Sequence, residues 1–279
     1  MKSLLKKTTI TAPAFFAAVL LLSDGATDAR AQTTFLSDGG RVTLEADGVI
    51  EWNREEFYYA AEDNVRLSRG GWHVRADRIQ AHYSDDDNDR ALSGDLSFAR
   101  AFGVPVTAES DDGTRIAADE IQWWPLEARL EALGDAAELT RRDGGRLTAS
   151  GSLMWWESLE GRPVAEARGG VMASGGGGET LRAERIRAVF SGATGKIEEY
   201  QAFGDVSVER ADGEIAKSRW ARYDVGGERI VLEGGVRLER EGQILRGERA
   251  EMDLASGVSV LLPGEGGRVE GRFDTDAEQ

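Results

Sequence analysis

Few residues of this chain have the chemistry of a catalytic site. The 279 residues include two histidines, His73 and His82, and no cysteine. Each histidine sits next to an inward position of an alternating strand pattern, so we expect both side chains to point to solvent, where they cannot form a histidine-rich metal site. No G-x-S-x-G sequence is present, and the many carboxylates follow the polar face of the strands. The residue types predict a protein that is not an enzyme and needs no cofactor.

An acidic run at 85–89 is the strongest candidate for a cation site. An EF-hand calcium loop needs glycine at its sixth position and glutamate at its twelfth. Those positions hold Arg90 and Leu96 here. The run is therefore interpreted as a solvated hairpin turn, and no metal site is predicted.

Two tryptophan pairs are candidates for ligand contact. Trp123-Trp124 and Trp155-Trp156 each close a strand. Neighbouring residues on a strand point to opposite faces of the sheet, so one ring of each pair should face inward and one outward. Stacking of the outward ring on a sugar is one interpretation, and packing in the core or at a sheet edge is the other.

The elements that position these residues follow one repeated pattern. Between residues 167 and 254, a short alternating strand, a glycine turn and a second alternating strand occur three times. The same pattern extends back along the chain, with anchors at residues 65, 104, 137, 171, 206 and 236, spaced by 30 to 39 residues. Period-two alternation with glycine turns predicts β-hairpins rather than helices.

The alternation slips by one residue at similar places in several repeats. The slip lies between Ala76 and Ile79, between Ala118 and Ile121, and between Ala183 and Ile186. Such slips mark bulges or corners, and a corner in every hairpin would make two sheet walls that face each other. The predicted fold is all-β, an antiparallel open jelly roll (a V-shaped β-trough) built from repeated hairpins.

The N-terminus has the pattern of a cleaved signal peptide over residues 1–31. A basic start containing Lys2 is followed by the apolar run 12–22, and Ala29 and Ala31 supply the small residues of a cleavage site. The alternative is an uncleaved membrane anchor, although the run is about half of the roughly 20 residues that a span needs. We expect an exported, periplasmic protein.

The net charge of the chain limits the kinds of molecule that it can bind. The formal net charge is −16, which argues against nucleic acid and against electrostatic docking on an anionic bilayer. Without cysteine, a core rather than disulfides must stabilise the exported chain.

The predicted divisions of the chain are an N-terminal half at 32–158, a C-terminal half at 159–262 with the clearest repeats, and an edge strand with a frayed tail at 263–279.

The repeated Ala-x-Gly-x-Val-x-Leu, glycine turn and Leu-x-Ala segments resemble those of the OstA-like family, which includes the periplasmic bridge proteins of lipopolysaccharide transport. The resemblance is clearest over 167–254 and 61–83. It implies an apolar interior that holds lipid A acyl chains, end-to-end self-association through edge strands, and inner-membrane and outer-membrane lipopolysaccharide-transport components as partners. The chain is longer than a typical bridge protein of the family, so one extended stack and two half modules both stay open.

The residues expected to line this interior alternate along the predicted strands, and the same residues would also suit a closed sandwich core. They are Val65, Leu67, Val74, Ile79, Tyr83, Val106, Ile116, Ile121, Leu139, Leu147, Val171, Leu181, Ile186, Val206, Val208, Ile215, Val236, Leu238, Leu245 and Met252.

Seven arginines next to these positions are expected mainly on the solvent face, with lipid phosphates as the alternative contact: Arg66, Arg69, Arg75, Arg182, Arg185, Arg237 and Arg246. Two other functions stay open: a structural β-solenoid scaffold that binds protein partners, and a secreted carbohydrate-binding β-protein that uses the tryptophan pairs.

Overall fold

The structure is a computed structural model that describes residues 42–69, 71–83, 96–111, 113–142, 144–175, 178–194, 196–211 and 213–273. The predicted signal peptide, the acidic run at 85–89 and the end of the predicted tail lie outside these residues. The described strands are β1 Thr43–Glu45, β2 Ile50–Asn53, β3 Tyr58–Arg69, β4 Trp72–Tyr83, β5 Leu96–Ser110, β6 Arg115–Trp124, β7 Arg129–Leu133, β8 Ala137–Thr140, β9 Arg146–Ala149, β10 Ser152–Glu157, β11 Pro163–Ser174, β12 Thr180–Phe190, β13 Ile197–Glu209, β14 Ile215–Asp224, β15 Arg229–Arg240, β16 Gln243–Asp253, β17 Val258–Leu262 and β18 Glu270–Arg272.

All 18 described strands belong to one antiparallel sheet. Long strands pair with their neighbours in sequence, from β3 with β4 to β15 with β16. Two short strands together take the place of one long strand in the sheet: β7 and β8 both pair with β6, while β10 and β9 both pair with β11. The predicted all-β fold of repeated antiparallel hairpins is confirmed.

Each long strand bends near its middle, where the pairing register shifts. In β3 the shift lies between Glu62 and Val65, and in β4 between Arg75 and Arg78. Similar shifts occur in β5, β11, β12, β13, β14 and β15. The slip in alternation therefore predicted the corners correctly.

Left-handed backbone forms the corner in β3, β11, β13 and β15. Gly234 and Gly235 of β15 have φ values of 86° and 70°. Asp63 and Asn64 of β3 have positive φ as well, at 68° and 48°. Glycine adopts this region at no steric cost, which explains why the repeated pattern carries glycine immediately before its anchor valine.

The corners divide the sheet into two walls, which meet along the corners. Wall A comprises 50–53, 58–62, 78–83, 96–102, 120–124, 129–133, 152–157, 163–168, 185–190, 197–203, 220–224, 229–233, 249–253 and 258–262. Wall B comprises 43–45, 65–69, 72–76, 106–110, 115–118, 137–140, 146–149, 171–174, 180–183, 206–209, 215–218, 236–240, 243–247 and 270–272. The open side opposite the corners, where the turns of the two walls approach each other, is here named the mouth.

Apolar side chains of both walls form one core between them. Next to the corner, wall B alternates valine and alanine across its hairpins, as in Val65 opposite Ala76 and Val171 opposite Ala183. These four side chains are at most 7% exposed and belong to the same cluster as Ile79 of wall A. Alternating large and small residues lets the walls pack closely.

Two sequence-based expectations change in detail. The repeat anchor expected at residue 104 lies at Val106, which is fully buried, whereas Val104 is 89% exposed because it belongs to the corner bulge between Phe102 and Val106. The segment expected to link the two halves forms a hairpin turn, with the Ser158 amide donating to the Arg162 carbonyl at 2.8 Å. Since β10 pairs with β11, the sheet continues across this turn.

Candidate functional site

Most of the residues expected to line an apolar interior lie together between the walls. Fifteen are buried: Val65, Leu67, Val74, Ile79, Val106, Ile116, Ile121, Val171, Leu181, Ile186, Val206, Val208, Val236, Leu238 and Met252. Three more, Leu139, Leu147 and Leu245, are partly buried and pack against the same cluster. The inward orientation of these residues is therefore confirmed, and the role of this face in binding remains a prediction.

The other two predicted residues, Tyr83 and Ile215, are not part of this buried set. Tyr83 lies at the end of wall A, where its hydroxyl accepts a hydrogen bond from Trp52 Nε1 at 2.7 Å and its ring lies 5.3 Å from that of Tyr59. Ile215 was expected to face inward, and this was wrong. Ala216, which is 2% exposed, takes the inward position opposite Val208 and Leu238, so Ile215 lies on the outer face.

The two walls are joined by continuous strands at the corners, on the side opposite the mouth. Strand pairing runs along each wall and continues through the corners. Among the described residues, no backbone hydrogen bond connects the turns of wall A with those of wall B. Side chains alone therefore close the mouth within the described part of the chain.

A polar row lines the mouth on wall B. In each wall-B hairpin, the two paired residues nearest the turn each lie two positions from an inward apolar residue of the same strand, on its turn side. They therefore face inward as well. These pairs are here named the closing rungs. They are Arg69/Trp72, Ser110/Thr114, Arg141/Gly145, Gly175/Glu179, Arg210/Glu214 and Arg240/Gln243. The interior is therefore apolar in depth and polar at its rim.

One closing-rung arginine lies against an aromatic residue of wall A, and the charge of a second acts on another aromatic residue of that wall. The Arg69 guanidinium carbon lies 4.9 Å from the centroid of the Trp123 ring, and Trp123 is 3% exposed on the inner face. Arg141 is close enough to Tyr200 for its charge to act on that hydroxyl. The Arg69 contact therefore crosses the mouth from wall B to wall A.

Tyr200 has an unusual environment for a tyrosine. It is 3% exposed, and its hydroxyl has no hydrogen-bond partner. Burial raises the pKa of this phenol far above its usual range, and the Arg141 charge opposes the rise. The neighbouring Tyr223, with its ring 6.4 Å away, has a pKa that is also raised, mainly by burial. Both phenols therefore stay neutral at physiological pH.

A buried carboxylate ties two other closing rungs together. Glu214 is 1% exposed and lies 2.8 Å from Arg210 and 2.7 Å from Arg240. This contact runs between neighbouring hairpins of wall B and does not cross the mouth. It fixes the tips of two hairpins relative to each other.

Proteins similar to this chain are found among solved structures. No family model matches the chain, and no curated protein matches it. Among solved structures, it is similar to LptH of Pseudomonas aeruginosa, described as the LptA homologous periplasmic component of the lipopolysaccharide transport device, with 12% identity, 43% of this chain and 78% of that chain covered, and a TM-score of 0.36. A second match is BamB of Moraxella catarrhalis, with 10% identity, 85% and 100% coverage, and a TM-score of 0.14.

The tryptophan pairs divide between the faces as expected. Trp123 is buried, and Trp155 packs on the core 4.7 Å from the Phe190 ring. Trp124 lies on the outer face, 5.1 Å from Phe98 and 4.4 Å from the Arg129 guanidinium carbon. Trp156 lies on the same outer face, where the Arg187 guanidinium carbon lies 5.8 Å from its ring.

The outer face otherwise carries ion pairs and the two histidines. The Arg100 guanidinium donates to Glu120 and holds the pKa of that carboxyl below its usual value. His73 is exposed as expected, whereas His82 is half-buried between the rings of Tyr58 and Phe98. The described residues contain no group of three or more His, Asp or Glu that could hold a metal ion. Nor do they include a helix of sufficient length and hydropathy to span a membrane.

Sequence reasoning missed the polar rim of the interior. Arg69 was expected on the solvent face, yet it shares the face of Leu67 and reaches Trp123. The signal was available, since Arg69, Arg141, Arg210 and Arg240 each follow an inward apolar residue by two positions. Their common orientation could have been found by extending the alternation to the glycine turns.

Proposed function

We propose that this chain is a periplasmic lipopolysaccharide-binding transport protein, which holds lipid A acyl chains in the apolar interior and relays them from the inner to the outer membrane. One observation carries the proposal. Two facing walls present apolar inner surfaces, and among the described residues no backbone hydrogen bond joins them at the mouth. The walls can therefore separate along the mouth without breaking a strand ladder.

Acyl chains would enter by replacing contacts between the walls. The inner side chains pack against one another in the structure, with Val65 and Ile230 fully buried. Each methylene transferred from water contributes about 0.8 kcal/mol, and the loss of contacts between the walls reduces this gain. The several chains of one lipid A together supply enough apolar surface to offset the opening, although ordering them adds a cost.

The acidic surface favours binding of the hydrocarbon part of the lipid rather than of its phosphates. With a formal net charge of −16, most of the surface repels an anionic headgroup. The affinity then arises from the interior, while the headgroup stays near water. Inner-membrane and outer-membrane lipopolysaccharide-transport components are the partners that the sequence resemblance implies.

Lipid extraction tests the proposal. The protein is purified from a host that makes lipopolysaccharide, and bound lipid is identified by mass spectrometry. We expect lipid A-containing molecules with the unmodified protein and a strong loss with Val208→Asp, because a charge on the inner wall is costly to bury beside hydrocarbon. Ser207→Asp, on the outer face of the same strand, is the matched control. Absence of acyl lipid from the folded, unmodified protein would contradict the proposal.

A further inference from the structure

Two neighbouring hairpin turns of wall A present bare leucine side chains at the mouth. Leu126, in the β6–β7 turn, is 70% exposed, and Leu159, in the β10–β11 turn, is fully exposed. Among the described hairpin turns at the mouth, only these two carry an exposed large apolar side chain. Because β7 pairs with β10, and neighbouring strands lie about 4.8 Å apart, the two turns lie side by side. They are here named the leucine tips, residues 125–128 and 158–162.

An aromatic residue on the outer face stands at the base of each leucine tip. Trp124 is covered by the Phe98 ring at 5.1 Å and by the Arg129 guanidinium carbon at 4.4 Å. Trp156 is half-buried and pairs with Val164, which is 1% exposed although it lies outside the core between the walls. Tryptophan is enriched at the boundary between lipid and water, so Trp156 suits the headgroup level of a bilayer.

The leucine tips carry paired charges that cancel. Glu127 lies 4.0 Å from Arg129, and Glu160 lies 2.7 Å from Arg162. The formal net charge of the chain is −16, so most of its surface repels an anionic bilayer, whereas these two turns do not. Insertion of apolar side chains, rather than electrostatic attraction, would therefore hold the tips on a membrane.

The strands that carry the leucine tips are not available for pairing with another chain. Each of β6, β7, β10 and β11 is hydrogen-bonded to a strand on both sides. A partner at this place can contact side chains only, and the leucines project from turns rather than line a groove. Projecting apolar side chains suit a lipid interface, which deforms around them and needs no complementary pocket.

We propose that the leucine tips dock on the interface of a phospholipid bilayer, with Leu126 and Leu159 inserted between the headgroups, so that the mouth opens towards the membrane. This inference rests on the proposed function. It adds the place at which the protein meets a membrane, and it puts the gap between the walls where an acyl lipid leaves or enters the bilayer.

Sedimentation with vesicles of phosphatidylcholine tests the docking. The unmodified protein is compared with Leu126→Ser, Leu159→Ser and the double substitution. Met172→Ser, which removes an exposed apolar side chain from the outer face of wall B, is the matched control, and circular dichroism verifies folding.

We expect the unmodified protein and the control to bind the vesicles equally. Each single leucine substitution should lower the partition coefficient about tenfold, the factor lost when one leucine side chain is no longer transferred from water. The double variant should lose about a hundredfold, and added salt should change binding little because the tip charges cancel. Binding that survives the double substitution, or no vesicle binding by the unmodified protein, would overturn docking through the leucine tips.

A label on the second tip locates the contact. Because the chain has no cysteine, an environment-sensitive fluorophore can be attached uniquely at Glu160→Cys or, as the control, at Thr107→Cys on the outer face of wall B. Vesicles should shift the emission from position 160 to shorter wavelength and leave that from position 107 unchanged. An unshifted emission from position 160 in vesicle-bound protein would show that another surface contacts the bilayer.

Displacement of a fluorescent fatty acid, measured without vesicles, separates this inference from the proposed function. The leucine variants should bind the fatty acid as tightly as the unmodified protein, because both leucines lie outside the interior. A protein that binds the fatty acid and not the vesicles would overturn the docking surface alone. A protein that binds neither would contradict the proposed function as well.

Discussion

Individual residues at the mouth decide how the interior is closed. Tyr200 is the clearest case, because its hydroxyl is buried without a hydrogen bond while its ring packs in the core. The ring supplies apolar surface, whereas burying the hydroxyl without a hydrogen bond costs stability. Such a residue is better suited to a site that takes up a ligand than to a core that is always closed.

The raised pKa of Tyr200 predicts a loss of stability in alkali. Its folded pKa is well above the unfolded value of 10.0, so the folded state retains a proton that the unfolded state releases as the pH rises above 10. The stabilisation is fully present below pH 10 and decreases above it, by up to about 1.4 kcal/mol per pH unit from this group.

Tyr200→Phe should therefore raise the free energy of unfolding at pH 7 by about 1 kcal/mol, because it removes a buried hydroxyl that has no hydrogen-bond partner, and should reduce its decline between pH 10 and pH 11. Urea denaturation at these three pH values measures both effects. Tyr223→Phe is a useful comparison, because the pKa of Tyr223 is raised too. A variant that loses stability as steeply as the unmodified protein in alkali would show that the Tyr200 hydroxyl is accessible to water.

At the scale of the strand, the corner bends each long strand and so divides one sheet into two walls. In β15 two consecutive glycines adopt left-handed backbone, but their surroundings differ. A Cβ on Gly234 would lie 2.6 Å from Arg219 Nε and 2.8 Å from Arg219 Cβ, whereas a Cβ on Gly235 would meet no atom within 4 Å. The two positions separate backbone strain from crowding.

Gly235→Ala should lower the free energy of unfolding by about 1 kcal/mol, the cost of left-handed backbone for a residue with a Cβ. Gly234→Ala should cost about 1–3 kcal/mol more, because the Arg219 side chain must also move. Thermal or urea denaturation of the two single variants measures the difference. Equal losses would mean that the corner is looser than the structure shows.

Much of this element-scale organisation was predictable from sequence. Alternation, glycine turns and the slip between Ala76 and Ile79 predicted the hairpins and their corners, since these features are local. The orientation of Ile215 and Arg69 was not predicted, because both lie at hairpin tips where the face depends on how far the pairing extends into the turn. Contacts such as Arg69 with Trp123 depend on the approach of two distant strands, which local alternation does not specify.

At the scale of the whole molecule, the two ends of the sheet are its most apolar exposed parts. Of the twelve exposed large apolar side chains among the described residues, eight lie at the ends: Val42, Val49, Ile50, Val258, Val260, Leu262, Val269 and Phe273. Within the described residues, β2 pairs only with β3, and β17 only with β16. Edge strands with apolar side chains favour pairing with another chain.

We therefore expect concentration-dependent end-to-end self-association, detected by analytical ultracentrifugation. The double substitution Val258→Lys and Val260→Lys should shift the protein towards monomer without unfolding it, because both side chains are about half exposed. Lysine on the outer face of β11, in Met172→Lys, is the control for added charge. A protein that stays monomeric at high concentration would contradict end-to-end assembly.

Photo-crosslinking from paired positions tests most directly whether acyl chains lie between the two walls. A photoreactive benzoyl-phenylalanine replaces Trp123, on the inner face, or its neighbour Trp124, on the outer face. Tyr59 and Tyr58 form a second inner and outer pair in wall A. After irradiation in a host that makes lipopolysaccharide, we expect lipopolysaccharide adducts from positions 123 and 59 and none from 124 and 58. Adducts from the outer positions alone, or from none of the four in folded protein, would contradict the claim.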